Sequence, residues 1–222
     1  MLHRLVPFLC APLMMTLTAQ AQTGQQQKVY WYYSDFPPYY INSGPDQGKG
    51  LGDQQVQTFM RSMPQFRHER VLAPLDRIME MMKVQTSACK VFLLKTPERA
   101  AMLEFSTPIL ETLPNGFVTL RSRLEQFKPF LDKRGQLRFD DWLENGQYRI
   151  STAAGRSFGA GIDAVLKKHE GQKSIAVHPS SGLASRLLKL VHQNEYDAVL
   201  AYPHELQSVV RQLELNPHDF VF

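Results

Sequence analysis

An α/β fold with a mainly parallel sheet is predicted for this chain, because short β-type runs alternate with amphipathic helical stripes along its whole length. The β-type runs lie at residues 29–33, 70–72, 89–94, 117–120, 148–153, 174–177 and 197–202. The stripes repeat apolar side chains at i, i+3, i+4 and i+7. They are Val56/Phe59/Met60/Met63, Leu75/Ile78/Met79/Met82, Ile162/Val165/Leu166/His169, Ala184/Leu187/Leu188/Val191 and Leu206/Val209/Val210/Leu213. A second observation divides the pattern in two. Leu113-Pro114-Asn115-Gly116 precedes one strand, and the charged stretch 121–138 with Pro129 and Gly135 follows it. That punctuation marks a boundary between halves of about 90 and 100 residues, each at the small end of domain sizes.

Composition agrees with a packed fold. The chain has 222 residues, 43% of them hydrophobic and 21% charged, which is ordinary globular usage and excludes disorder and collagen-like structure. Its net charge of +4 is not gathered into any basic block, which argues against a nucleic-acid binder. At the amino end, Arg4 precedes an apolar run over residues 5–17, followed by Ala19-Gln20-Ala21, a small-x-small pattern. This predicts a signal peptide over residues 1–21, cleaved after Ala21, because the run is too short to span a bilayer and Pro7 and Pro12 interrupt it. Export to the periplasm is therefore expected. Only Cys89 would remain beside the removed Cys10, so stability has to come from the core and not from a disulfide.

Behind the first strand, Trp31, Tyr32, Tyr33, Phe36, Tyr39 and Tyr40 cluster around Pro37-Pro38. Some of these rings must fill the core, while those beside the prolines, Phe36 above all, are placed to wall a ligand cleft. The run 89–94 holds Cys89, read as buried and inert, and Lys90, which strand alternation would point to the opposite face. It leads into Lys95-Thr96-Pro97-Glu98-Arg99, where Thr96 is the expected N-cap and Pro97 the first helical residue. Arg99 then lies where a strand end feeds a helix start, a common place for an anion.

The turn Gly155-Arg156-Ser157-Phe158-Gly159-Ala160-Gly161 admits three readings. Its amides are free to meet an anion at a helix start. It also matches the G-x-S-x-G nucleophile elbow of serine hydrolases, with Asp197 and then His204 or His218 following in the right order, although no HGG-type segment lies upstream. A G-x-G-x-x-A dinucleotide pattern over residues 159–164 is weaker, since it does not directly follow a strand. The histidines are too scattered for a zinc motif, so neither metal nor cofactor is expected.

Phe36-Pro37-Pro38-Tyr39, then Leu94-Lys95-Thr96-Pro97-Glu98-Arg99, then Phe105-Ser106-Thr107-Pro108 together resemble the bacterial extracellular solute-binding proteins of family 3. Gly155-Arg156-Ser157 looks like that family's second-lobe anion turn, and residues 196–202 look like its last second-lobe strand. The resemblance spans residues 28–213. It implies a two-lobed periplasmic-binding-protein-like (type II) fold with hinge strands between the lobes, with lobe one at 28–116 and the first hinge strand plus lobe two at 117–222. It implies a monomer that closes on a small polar, carboxylate-bearing solute and presents it to an ABC-type permease or a sensor, with no chemistry done on the ligand. Arg99 would clamp the ligand carboxylate with Thr96 beside it, Ser157 would offer its hydroxyl, and Phe36 would stack on the ligand. Two departures stand out. Where amino-acid binders place an aspartate for the ligand's ammonium group, this strand ends in Tyr202-Pro203, leaving Tyr202 a neutral neighbour of the ligand. Residues 220–222 would begin the return crossing to lobe one, and the segment that follows it in the family is absent from this sequence.

Overall fold

A computed structural model describes residues 26–179 and 183–222; the expected signal peptide, with Cys10, lies outside the described residues. In chain order the first elements are β1 (Lys28–Tyr33), α1 (Leu51–Ser62), β2 (Arg67–Leu72), α2 (Leu75–Val84), β3 (Ala88–Cys89) and the single turn α3 (Pro97–Ala100). The strands form a parallel sheet in the order β2-β1-β3, with Lys28 opposite Arg67 and Trp31 opposite Cys89. Each neighbouring pair is joined through a helix, as parallel pairing requires. Trp31 of β1 stacks on Phe59 of α1 at 5.8 Å, and Tyr39, Tyr40, Val56 and Val91 complete an aromatic-rich core. The aromatic loop can lie on α1 only because residue 52 is glycine: a Cβ there would stand 2.6 Å from the buried Tyr40 ring.

A stretch without helix or strand, residues 103–115, leads to β4 (Gly116–Leu120), α4 (Phe139–Glu144), β5 (Ile150–Ala153), α5 (Ala160–Lys168), β6 (Ile175–His178), α6 (Leu183–His192), β7 (Ala198–Ala201), α7 (Pro203–Gln212) and β8 (Phe220–Val221). The second sheet runs β6-β5-β7-β4-β8, with β5 parallel to both neighbours and β4 antiparallel to β7 and β8. Alternation along β7 serves two cores at once. Val199 and Ala201 join Leu187, Leu188, Val191 and Val209, whereas Ala198 and Leu200 join Phe127, Trp142 and Phe158. With helices over both faces, the buried strand reads as a continuous apolar run. The molecule is thus a two-lobed α/β structure, one sheet to each lobe.

One sequence expectation needs correction. The run 89–94 is not one strand: sheet pairing ends at Cys89, and Phe92 adopts the left-handed region at φ 59°. Its apolar residues mark burial, and Tyr40 holds the bend by donating its hydroxyl to the Val91 carbonyl at 3.2 Å. The charged stretch 121–138 carries structure of its own, since residues 121–130 form a 3₁₀ helix whose Phe127 is buried against Trp142. Its charges face outward while one aromatic face enters the core. Phe220 and Val221 pair antiparallel with Leu120 and Thr119 and so lie beside β4.

Candidate functional site

Between the lobes lies a cavity of about 70 Å³. Ser34, Asp35, Phe36, Lys90, Phe92 and Arg99 line it from the first lobe, and Ala153, Arg156, Ser157 and Tyr202 from the second. Four of the five residues singled out in the sequence, Phe36, Arg99, Ser157 and Tyr202, meet there. Thr96 does not line it. Its hydroxyl oxygen accepts the Arg99 amide at 3.2 Å and caps α3, so it positions the arginine from behind.

Arg99 is buried, and its two terminal nitrogens donate to backbone carbonyls on opposite lobes, Leu94 O at 2.7 Å and Gly155 O at 2.8 Å. Among the described residues it forms no ion pair. Burial pulls its guanidinium below the ordinary value, although an arginine stays charged throughout. Gly155, at φ +72°, lets the lobes approach so closely that a Cβ would stand 3.2 Å from the Asp76 backbone.

Lys90 is the cavity residue that strand alternation missed. Because pairing stops at Cys89, Lys90, Phe92, Leu93 and Leu94 can all face the cavity, which no strand period allows. Its ammonium lies 5.2 Å from the Tyr40 ring centroid and has no carboxylate partner among the described residues. Desolvation, and then the nearby Arg99 charge, pull it down to about 8. A lone lysine inside an apolar run was the available sequence signal.

The second-lobe turn is built differently from expectation. Its amides are not free: Phe158 N donates to Asp163 Oδ1 at 2.8 Å, and the Ser157 hydroxyl donates to Asp163 Oδ2. The first turn of α5 thereby closes the loop on itself. Arg156 donates from both terminal nitrogens to Glu205, the Nη1 contact being 2.9 Å, and Glu205 also accepts the Tyr202 amide at 2.8 Å. Glu205 is only 1% exposed. Burial pulls Arg156 down, yet Glu205 outweighs that and leaves it above the ordinary value. Across the cleft, Tyr39 and His204 Nε2 share a hydrogen bond of 2.5 Å. Burial pushes the Tyr39 phenol up to about 12 and draws the His204 imidazole down.

The residues of the hydrolase alternative are held apart. Ser157 is engaged by Asp163, His204 by Tyr39, and Asp197 by Arg123 and the Arg149 amide, while His218 sits in the 3₁₀ turn Pro217–Asp219. Ser157, Asp197, His204 and His218 thus do not share one hydrogen-bonded line, the arrangement that a nucleophile, base and orienting acid take for acyl transfer. Nothing in the sequence pointed to Asp140, Glu144 and His169 coming together, yet their ligand atoms lie within 4.8 Å of one another. Lys168 already bridges the two carboxylates at 2.7 Å each. Cys89 is half-buried, and burial pushes its thiol up, away from reactivity.

No family model and no curated protein matches this sequence. Solved structures do match. A mutant of ArgBP from T. maritima superposes with a TM-score of 0.64 at 15% identity, covering 88% of this chain and 75% of that one. The L-arginine-bound amino acid ABC transporter substrate-binding protein AbpA from Streptococcus pneumoniae gives 0.58 at 17% identity, covering 87% and 73%. A histidine kinase sensor domain with similarity to periplasmic binding proteins gives 0.61 at 14%, covering 88% and 75%. At such identities the likeness establishes architecture. The chain has the two-lobed fold of the periplasmic binding proteins.

Proposed function

We propose that this is an exported solute-binding protein that closes on a small anionic, carboxylate-bearing ligand. The observation that carries the reading is the pair Lys90 and Arg99, two cations facing one interlobe cavity with no carboxylate partner among the described residues. Desolvating such charges is unfavourable unless a counter-ion arrives, so the cavity favours an anion. Arg99 retains N–H donors beyond the two it uses on Leu94 and Gly155, and a carboxylate can take them in bidentate fashion. Phe36, Ser157 and Tyr202 would complete the walls, with Thr96 orienting Arg99 through its cap. Residues 28–116 and 117–222 would form the moving lobes. Glu205 is committed to Arg156, which leaves Asp35, whose carboxylate accepts the Asn42 amide at 3.3 Å, as the acid on the cavity wall.

Under this reading residues 1–21 direct export to the periplasm, and no helix among the described residues is long and apolar enough to cross a membrane. The neighbouring structures include both an ABC substrate-binding protein and a sensor domain, which supports delivery of the loaded, monomeric protein to a permease or to a sensor. Thermal-shift screening against mono- and dicarboxylates, amino acids and short peptides tests the assignment. A ligand at 100 times its dissociation constant adds about 2.7 kcal/mol. Stabilisation by carboxylates lacking an amino group is expected; a response only to amino acids, or to nothing, overturns the reading.

A further inference from the structure

Arg156 is held in a setting that exceeds what an ion pair needs. Its guanidinium carbon lies 5.0 Å from the Phe36 ring centroid, 5.0 Å from Phe158 and 5.3 Å from Tyr202, and both terminal nitrogens reach the buried Glu205 carboxylate. Rings that present their faces to a cation, closed at one end by a carboxylate, are the arrangement by which proteins capture free organic cations. Two features separate this from a fold-stabilising bridge. Phe36 belongs to the first lobe and the other three groups to the second, so the enclosure is complete only where the lobes meet. The occupant hangs from the turn between β5 and α5, not from a helix or strand, so it sits as a tethered side chain in a preformed box.

We infer that Phe36, Phe158, Tyr202 and Glu205 form a cation cage for a planar guanidinium group, and that Arg156 is its built-in occupant. Planarity suits the cage because a guanidinium can lie against rings while offering two parallel donors to one carboxylate. Filled from within, the cage cannot take a cation from an incoming ligand, and this excludes zwitterionic and cationic solutes from the second-lobe wall. That consequence for selectivity rests on the anion-binding reading; the cage itself does not.

Arg156→Ala empties the cage and leaves Glu205 buried, and methylguanidinium chloride is the probe. At about 20 mM it is expected to raise the melting temperature of R156A by about 2 to 4 °C over an equal concentration of sodium chloride, as a ligand of the folded state does. Wild type, already filled, should show no difference between the two salts. The double variant R156A/E205Q keeps the rings but lacks the carboxylate, and it should lose the response. If R156A does not accumulate folded protein, refolding from denaturant replaces melting, with at least a threefold higher yield in methylguanidinium than in sodium chloride expected. Equal behaviour of R156A in the two salts by whichever readout applies, or an undiminished response in the double variant, overturns the cage. Methylguanidinium rescue without any carboxylate shift in wild type would remove the anion reading and leave the cage standing.

Discussion

On the first-lobe wall of the cleft, Lys90 and Arg99 face the cavity with backbone carbonyls and a ring for company; on the second-lobe wall, Arg156 is locked to Glu205 inside three aromatic rings. Both walls carry cationic side chains, yet of these only Arg156, on the second wall, forms an ion pair among the described residues. Burying an unpaired charge lowers stability unless a partner is recruited, whereas a paired one is part of the folded state's own cohesion. Under the proposed function, the contrast separates a wall that serves binding from a wall that serves closure. Substitutions on the second wall should therefore register in stability, and substitutions on the first in affinity.

Breaking the second wall has the largest expected effect. Arg156→Ala should lower unfolding free energy by about 3 to 5 kcal/mol, because it strands a buried carboxylate, while a Met/Leu replacement of the Arg156–Glu205 pair should cost far less. Urea denaturation of the three proteins checks this, and equal losses would contradict it. On the first wall, Arg99→Ala should weaken binding of a carboxylate ligand by about 2 to 5 kcal/mol, at least thirtyfold, with lysine at that position recovering only part. Isothermal titration with a ligand found by screening measures it. An unchanged dissociation constant would place Arg99 outside the binding machinery.

Lys90 sharpens the contrast, because its two effects have opposite signs. Its folded-state value of about 8 lies below the ordinary 10.5, so the unfolded chain holds this proton more tightly. The resulting penalty is fully present below pH 8 and is relieved as pH rises from about 8 toward 10.5. Lys90→Met should then stabilise the protein at pH 7 by about 1 to 2 kcal/mol while weakening anion binding about tenfold. In the parent protein anion affinity should fall as pH rises through about 8, and in K90M that dependence should flatten. Loss of both stability and affinity in K90M would show that the lysine is a structural element.

The smallest effects belong to the contacts that trim the two walls. His204 is held below its ordinary 6.5, so its neutral form supports the closed fold above that pH, and this contribution is lost as pH falls below it. Thermal melts between pH 7.5 and 5 should show a decline of about 0.5 to 1 kcal/mol that Tyr39→Phe diminishes, since the variant removes the hydroxyl that shares the bond with the His204 ring. Ser157→Ala should cost about 0.5 to 1.5 kcal/mol of stability through its lost bond to Asp163. A complete loss of any hydrolytic activity in S157A would instead return the nucleophile-elbow reading.

Much of this architecture was present in the chain itself. Periodicity located the helices at Leu75–Val84, Ala160–Lys168 and Pro203–Gln212, because a face that must be buried imposes its repeat locally. The Thr96 cap with Pro97 behind it is likewise a matter of adjacent residues, as is the continuous apolar run that makes Ala198–Ala201 a buried strand. Phe36, Arg99, Ser157 and Tyr202 were named from motifs and do border one cavity. Tertiary structure alone decided what those side chains touch. Whether Lys90 points to the cavity depends on where pairing with β1 stops, and that depends on the bend at Phe92 against Tyr39 and Tyr40. The partnership of Arg156 with Glu205, separated by 49 positions, follows from two strand ends of one sheet lying side by side. Local pattern fixes which residues are buried, because burial is set by period and propensity. Which charge meets which is a three-dimensional fact, set by loops whose course no period describes.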